Sequence, residues 1–229
     1  MTIDLNCDMG ELADAAHEAA LMTYVTSANI ACGGHAGDDE MMERTARLAL
    51  ERGVRIGAHP GYPDRENFGR VELPMSPAAI ADSVYGQILR LEEIVTRLGG
   101  TIEYVKPHGA LYNVAVHNPD VARGIAEGAA RWNPQTTLFG LANSHMLTVW
   151  RVMGMAVAGE AFADRRYEAD GTLRSRKLPG ALITDPREAA AQAVRFAREA
   201  QAQTICVHGD TPGAVEILKA CREALPLKQ

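Results

Sequence analysis

Short apolar runs rich in β-branched residues recur along the chain near residues 2–6, 25–31, 54–58, 102–106, 136–141, 155–159 and 204–208, with a weaker eighth at 181–184. Stretches with helical spacing separate most of them. Ile80, Val84, Ile88, Leu91, Val95 and Leu98 form one apolar stripe, which predicts a helix over 77–98 ended by Gly99 and Gly100. A second helix is predicted over 39–52, with Met42, Ala46 and Ala49 inward and Gly53 as its stop. Ser76-Pro77, Asn118-Pro119, Asp185-Pro186 and Thr211-Pro212 each read as a helix start, a small polar cap followed by a proline that loses no hydrogen bond there. Glu188 would complete a capping box with Asp185.

Strand and helix in alternation predict parallel strands joined by crossover helices, the α/β class. Seven or eight uninterrupted units favour a closed (β/α) barrel over an open sheet. With no linker, low-complexity stretch or repeat, the reading is a single domain over 1–229. Composition agrees, since 47 % hydrophobic and 23 % charged residues are ordinary for a globular chain. A net charge of -6 argues against a nucleic-acid face, which needs a basic surface. Cys7, Cys32, Cys206 and Cys221 form no close pair and read as reduced thiols, not a disulfide framework. No secretory signal opens the chain, and no run reaches the ~18 apolar residues of a membrane span. These features predict a cytoplasmic location.

In a parallel barrel the chemistry gathers in the loops after the strands. The first run leads to Asn6, Asp8 and Gly10-Glu11, and the second to Asn29 and then Cys32-Gly33-Gly34-His35-Ala36-Gly37-Asp38. The third ends in His59-Pro60-Gly61, the fourth in Lys106-Pro107-His108-Gly109, the sixth in Glu160 and Asp164-Arg165, and the last in His208-Gly209-Asp210. Glycine beside a histidine or an acid suggests that backbone approaches a ligand closely. Any one of these histidines could be an ordinary hydrogen-bonded residue, but four of the seven (His35, His59, His108, His208) on one rim predict a site. His17, His117 and His145 lie on or beside predicted helices and read as structural.

The turn at 32–38 resembles a phosphate cradle but is neither a Walker A nor a dinucleotide motif; it reads equally as an anion site or as a tight turn. Cys7, Cys32 and Cys206 lie in or at the ends of apolar runs and read as small hydrophobes, not nucleophiles. Asp8, His35 and His59 could hold a divalent metal, although no short ligand spacing such as HExxH supports it.

At these loops the chain resembles the LamB/YcsF family. The resemblance rests on Ile3-Asp4-Leu5-Asn6-Cys7-Asp8-Met9-Gly10-Glu11, Thr26–Gly33 with His35–Asp38, Ile56–Asp64 with Asn67–Arg70, Val105–Asn113, Glu160–Arg165 with Tyr167, Asp170-Gly171, Leu173, Arg176 and Gly180–Ile183, and Cys206-Val207-His208-Gly209-Asp210. These blocks span essentially the whole chain. The resemblance implies a distorted barrel like those of glycoside hydrolases and polysaccharide deacetylases. It further implies ATP-dependent opening of 5-oxo-L-proline to L-glutamate with two partner subunits, B and C. A lactam amide is a poor electrophile, and this chain has no nucleotide motif, so a partner would handle the ATP. Two departures stand out: Gly34, where the family more often has phenylalanine, should loosen the second loop, and the stretch before Thr204 is short.

On this reading Asp8, His59, Lys106, His108, Glu160 and Asp210 are the catalytic candidates, supplying a general base and a cation. Asn6, Asn29, His35, Arg70, Arg176 and His208 are the substrate-binding candidates, the arginines being suited to a carboxylate. A metal-dependent carbohydrate deacetylase or hydrolase is the alternative from barrel type alone. It is disfavoured by an aromatic content of 5 % and by Trp132 and Trp150 falling on predicted helices. A non-enzymatic small-acid binding protein is the third reading.

Overall fold

In the computed structural model, which describes residues 2–199 and 202–227, seven parallel strands close into a barrel in sequence order. The strands are β1 (Asp4–Met9), β2 (Ser27–Ala31), β3 (Arg55–His59), β4 (Ile102–Val105), β5 (Thr137–Leu141), β6 (Ala156–Phe162) and β7 (Thr204–Cys206). Around them lie α1 (Ala15–Met22), α2 (Asp39–Glu51), α3 (Pro77–Arg97), α4 (Gly109–Ala115), α5 (Pro119–Trp132), α6 (His145–Val152), α7 (Pro186–Arg198) and α8 (Ala214–Ala224). Pairing of β7 with both β6 and β1 leaves the ring no edge. None of the described helices is long and apolar enough to cross a membrane.

The weak eighth strand at 181–184 is corrected. Ala181 and Ile183 are buried, which gave the segment its strand-like pattern, but they bond antiparallel to the backbone of Asp164 and Arg166 in the loop after β6. Ser76, Asn118 and Asp185 cap their helices as expected, each accepting backbone N–H bonds in the first turn. Thr211-Pro212 does not start a helix: α8 begins at Ala214 after Gly213 (φ 78°), and the Thr211 hydroxyl donates instead to Asp164. Glu188 pairs with Arg166 at 2.8 Å, so the predicted capping box is not closed. Residues 200 and 201, in the short stretch before Thr204, lie outside the described residues.

Strand period places the site. In β1, Leu5, Cys7 and Met9 join the apolar core, while Asp4, Asn6 and Asp8 point the other way, into the barrel. There they meet polar groups of other strands. Asp4 accepts from Ser27 and Thr204 (2.5 and 2.6 Å), and Asn6 donates to Glu160 (3.1 Å) and Thr204 (2.6 Å). Asn29 donates to Asn6 and Asp8 (2.7 and 2.8 Å) and accepts from Tyr104 (2.7 Å). The lumen is therefore a hydrogen-bonded polar column that rises to the open end of the barrel, and its members hold one another's orientation.

Candidate active site

At the C-terminal mouth of the barrel lies a cavity of about 730 Å³, within the ~300–1,000 Å³ usual for small-molecule sites. Asp8, His59, Lys106, His108, His208 and Asp210 line it, joined by Arg70 and Arg176 from the loops. The remaining candidates lie elsewhere. Glu160, Asn6 and Asn29 are sealed in the lumen below, and His35 is buried behind the cavity wall. A hollow of about 680 Å³ outside the barrel is lined by Glu40, Glu43, Arg44 and Arg47 of α2 and by no histidine.

The floor is built on Lys106, which crosses the lumen from the end of β4. Its ammonium stands 2.7 Å from Asp8 and 3.1 Å from both Glu160 and the Cys206 sulfur. Burial alone would lower the Lys106 pKa, but Asp8 foremost holds it well above the ordinary lysine value. Burial would likewise raise the Asp8 carboxyl, yet the adjacent His59 imidazole and Lys106 ammonium hold it well below its usual range. Asp8 is thus an ionised carboxylate facing the cavity. The Cys7, Cys32 and Cys206 thiols are buried and pushed up, as expected of small hydrophobes.

Beside this floor sits a group whose fourth member, Glu11, sequence reasoning did not single out. Glu11 Oε1 lies 3.0 Å from His35 Nε2, 3.2 Å from His108 Nδ1 and 3.6 Å from His59 Nε2. Burial alone would raise the Glu11 carboxyl, but its His108 and His35 contacts outweigh that and drive it far below the ordinary range. Burial, then His108, pushes His35 down to about 3. The available signal was an acid next to Gly10 immediately after the first strand. Of the metal trio expected from sequence, His35 and His59 converge with Glu11 and His108, while Asp8 stands 3.4 Å from His59 Nε2 and also groups with Cys206 and His208.

Gly61 and Gly69 make room for the His35 side chain. A Cβ at Gly61 would stand 2.8 Å from His35 Nδ1, and one at Gly69 (φ +62°) would stand 2.7 Å from His35 Cβ. The expected loosening at Gly34 is corrected too, because the Gln87 side chain fills the space a Cβ would enter and bonds Gly61 on both sides. The turn at 32–38 closes on itself through Gly33 N–H to the Ala36 carbonyl (2.8 Å), and Asp38 caps α2. Asp38, Asp39 and Glu40 leave this helix start unfavourable for phosphate.

The outer rim carries the remaining charge. Asp210 accepts from Arg70 (2.5 Å) and Arg176 (2.8 and 3.0 Å), so two cations share one carboxylate. Asp164 is fully buried and takes the His208 backbone N–H (3.1 Å), the His208 ring (3.0 Å) and the Thr211 hydroxyl (2.5 Å). Burial raises its pKa, but His208 and these hydrogen bonds bring it below the ordinary value. A folded-state pKa below the unfolded one gives stabilisation that is present above about pH 4 and lost as pH falls through the folded value. Asp164→Asn should therefore lower Tm at neutral pH by roughly 4–12 °C, from about 2–3 kcal/mol. The gap from wild type should close in acid, as checked by thermal melts across pH. His17, read as structural, ties α1 to this loop through the Gly209 carbonyl at 2.9 Å.

Among known families, the LamB/YcsF model matches residues 3–229. The chain belongs to the LamB/YcsF family. It is 47 % identical to the 5-oxoprolinase A subunit of Chloroflexus aggregans, over 98 % of this chain and 95 % of the relative. To that of Heliobacterium modesticaldum it is 42 % identical, over 98 % of this chain and 94 % of the relative. The crystal structure of a lactam utilization protein from Thermus thermophilus superimposes with a TM-score of 0.91 at 38 % identity, covering 98 % of this chain and 96 % of that one. A putative cellobiose-phosphate cleavage protein from Enterococcus faecalis, with 14 % identity and a TM-score of 0.53, shares the fold alone.

Proposed function

We propose that the chain works as the A component of an ATP-dependent 5-oxoprolinase, opening 5-oxo-L-proline to L-glutamate together with the B and C subunits. The observation that carries this reading is the pairing, in one cavity, of an ionised carboxylate on the floor with two arginines at the rim. Full-length similarity to relatives named as the A component of 5-oxoprolinase supports it.

Arg70 and Arg176 carry one more positive charge than Asp210 neutralises and offer forked donors to the substrate carboxylate. The lactam carbonyl then turns to the floor. Asp8, kept charged by Lys106, takes a proton from the attacking water, and the Lys106 ammonium steadies the charge that develops on oxygen. The water oxygen bonds to the ring carbonyl carbon, the ring C–N bond breaks, and the nitrogen gains a proton to become the amino group of glutamate. ATP, handled by the partners, drives attack on this unreactive amide. Free, buried cysteines suit a cytoplasmic enzyme. Trp150 is buried with its N–H on the Ala122 carbonyl, so it offers no platform for a sugar.

Arg176→Ala in the complex should raise KM for 5-oxoproline roughly 10–100-fold, the scale of one charge-assisted hydrogen bond, with kcat nearly unchanged. Steady-state kinetics with KM unmoved would remove the arginines from substrate binding.

A further inference from the structure

We propose that Glu11, His35, His59 and His108 form a site for one divalent transition-metal ion at the inner wall of the cavity. The four offer one ligating atom each, all within 4.8 Å of one another. Ions of the zinc class sit about 2.0–2.2 Å from nitrogen and oxygen ligands, so neighbouring ligands of a shared ion stand about 3–4 Å apart. The contacts are on that scale: Glu11 Oε1 lies 3.0, 3.2 and 3.6 Å from the three rings, and His108 Nδ1 lies 3.0 Å from His59 Nε2.

The ring orientations carry the argument further. His59 Nδ1 is 2.8 Å from the Lys106 carbonyl, and His108 Nε2 is 3.0 Å from the Phe68 carbonyl. A carbonyl only accepts, so each of these nitrogens bears the hydrogen, and in the neutral rings His59 Nε2 and His108 Nδ1 are bare. Two bare lone pairs 3.0 Å apart repel unless a cation lies between them. Backbone carbonyls that fix a tautomer and aim the other nitrogen inward are the usual outer support of metal-binding histidines. Three nitrogens and one carboxylate suit zinc, cobalt, iron, nickel or manganese better than magnesium or calcium, which prefer all-oxygen shells.

The neighbouring cluster of Asp8, Cys206 and His208 is not a second site. The Lys106 ammonium already stands 2.7 Å from Asp8 and 3.1 Å from the Cys206 sulfur and takes the place a cation would fill. Glu11, His59 and His108 line the cavity beside Asp8, so the ion faces the substrate and polarises a carbonyl or a water there. That catalytic role rests on the proposed lactam chemistry; the binding does not.

The test uses the full chain, stripped with chelator and titrated with Zn(II) and Co(II) by calorimetry and elemental analysis. One ion per chain is expected, with Co(II) bands of nitrogen–oxygen coordination and three paramagnetically shifted imidazole N–H resonances, from His35, His59 and His108. Glu11→Gln should weaken binding by more than the ~10–100-fold typical of losing an outer-sphere partner, and Cys206→Ser should leave it intact. The wild-type measurement alone decides the matter if the Glu11 variant fails to fold. Failure of every transition metal tried to bind stoichiometrically would overturn the site and leave a proton shared between His59 and His108. Turnover by metal-free complex would defeat only the ion's catalytic role, and bound metal without turnover would defeat the lactam reading but not the site.

Discussion

In the complex with its partners, Asp8→Asn should release glutamate roughly 10²–10⁴-fold more slowly than the wild-type chain, with KM little changed. The substitution keeps the shape of the side chain and an oxygen acceptor for Asn29, which donates to Asp8 at 2.8 Å. What it removes is the negative charge that Lys106, at 2.7 Å, holds ionised at the cavity floor. Folding should suffer less than catalysis, because Lys106 keeps Glu160 at 3.1 Å as a counterion. Steady-state kinetics of the complex check this directly. Turnover within about threefold of wild type would mean that another group takes the proton, since a general base contributes far more than that.

Lys106→Met should have the second large effect, on stability and activity together. It leaves Asp8 and Glu160 facing the lumen without the ammonium that lies between them. Removing one member of a buried ion pair costs about 3–5 kcal/mol, equivalent to roughly 6–20 °C in Tm for a chain of this size. Loss of the cation beside the developing oxyanion should cost about 100-fold or more in kcat. Adding Asp8→Asn should restore part of the melting temperature, by removing one unpaired charge, and none of the activity. If the folded fraction of Lys106→Met turns over normally, the lysine is structural and Arg70 and Arg176 alone hold the anion.

The outline of the barrel was legible because most strand residues are buried and most strands leave short runs rich in apolar residues, while the longer crossover helices leave a stripe of period 3.6. The segment at 181–184 misled for the same reason: Ala181 and Ile183 are buried, but under a loop that pairs with residues 164–166. Thr211 has the look of a cap, and only the fold brings Asp164 within reach of its hydroxyl. Strand-end position also marked Asp8, His35, His59, Lys106, His108, Glu160, His208 and Asp210 as residues of one mouth, and all but His35 and Glu160 line the cavity. Depth within the barrel was not legible. Glu160 follows the same apolar pattern as the rim residues yet lies at 0 % exposure beneath Lys106, inside the lumen. Gly10-Glu11 stands at the first strand end, but spacing gives Glu11 no role of its own. Its meaning comes from convergence with His35, His59 and His108, which arrive from three other loops. The tautomers of His59 and His108 depend on the carbonyls of Lys106 and Phe68, contacts no spacing reveals.

The most direct measurement of the proposed function is L-glutamate release from 5-oxo-L-proline by the purified chain, alone and reconstituted with the proposed B and C subunits, with ADP followed in parallel. Glutamate and ADP are expected in equal amounts from the complete complex. The chain alone, which has no phosphate-cradling motif with its lysine, should give background levels of both. A complete complex that forms no glutamate, or an isolated chain with robust ATP hydrolysis abolished by a rim substitution, would contradict this function.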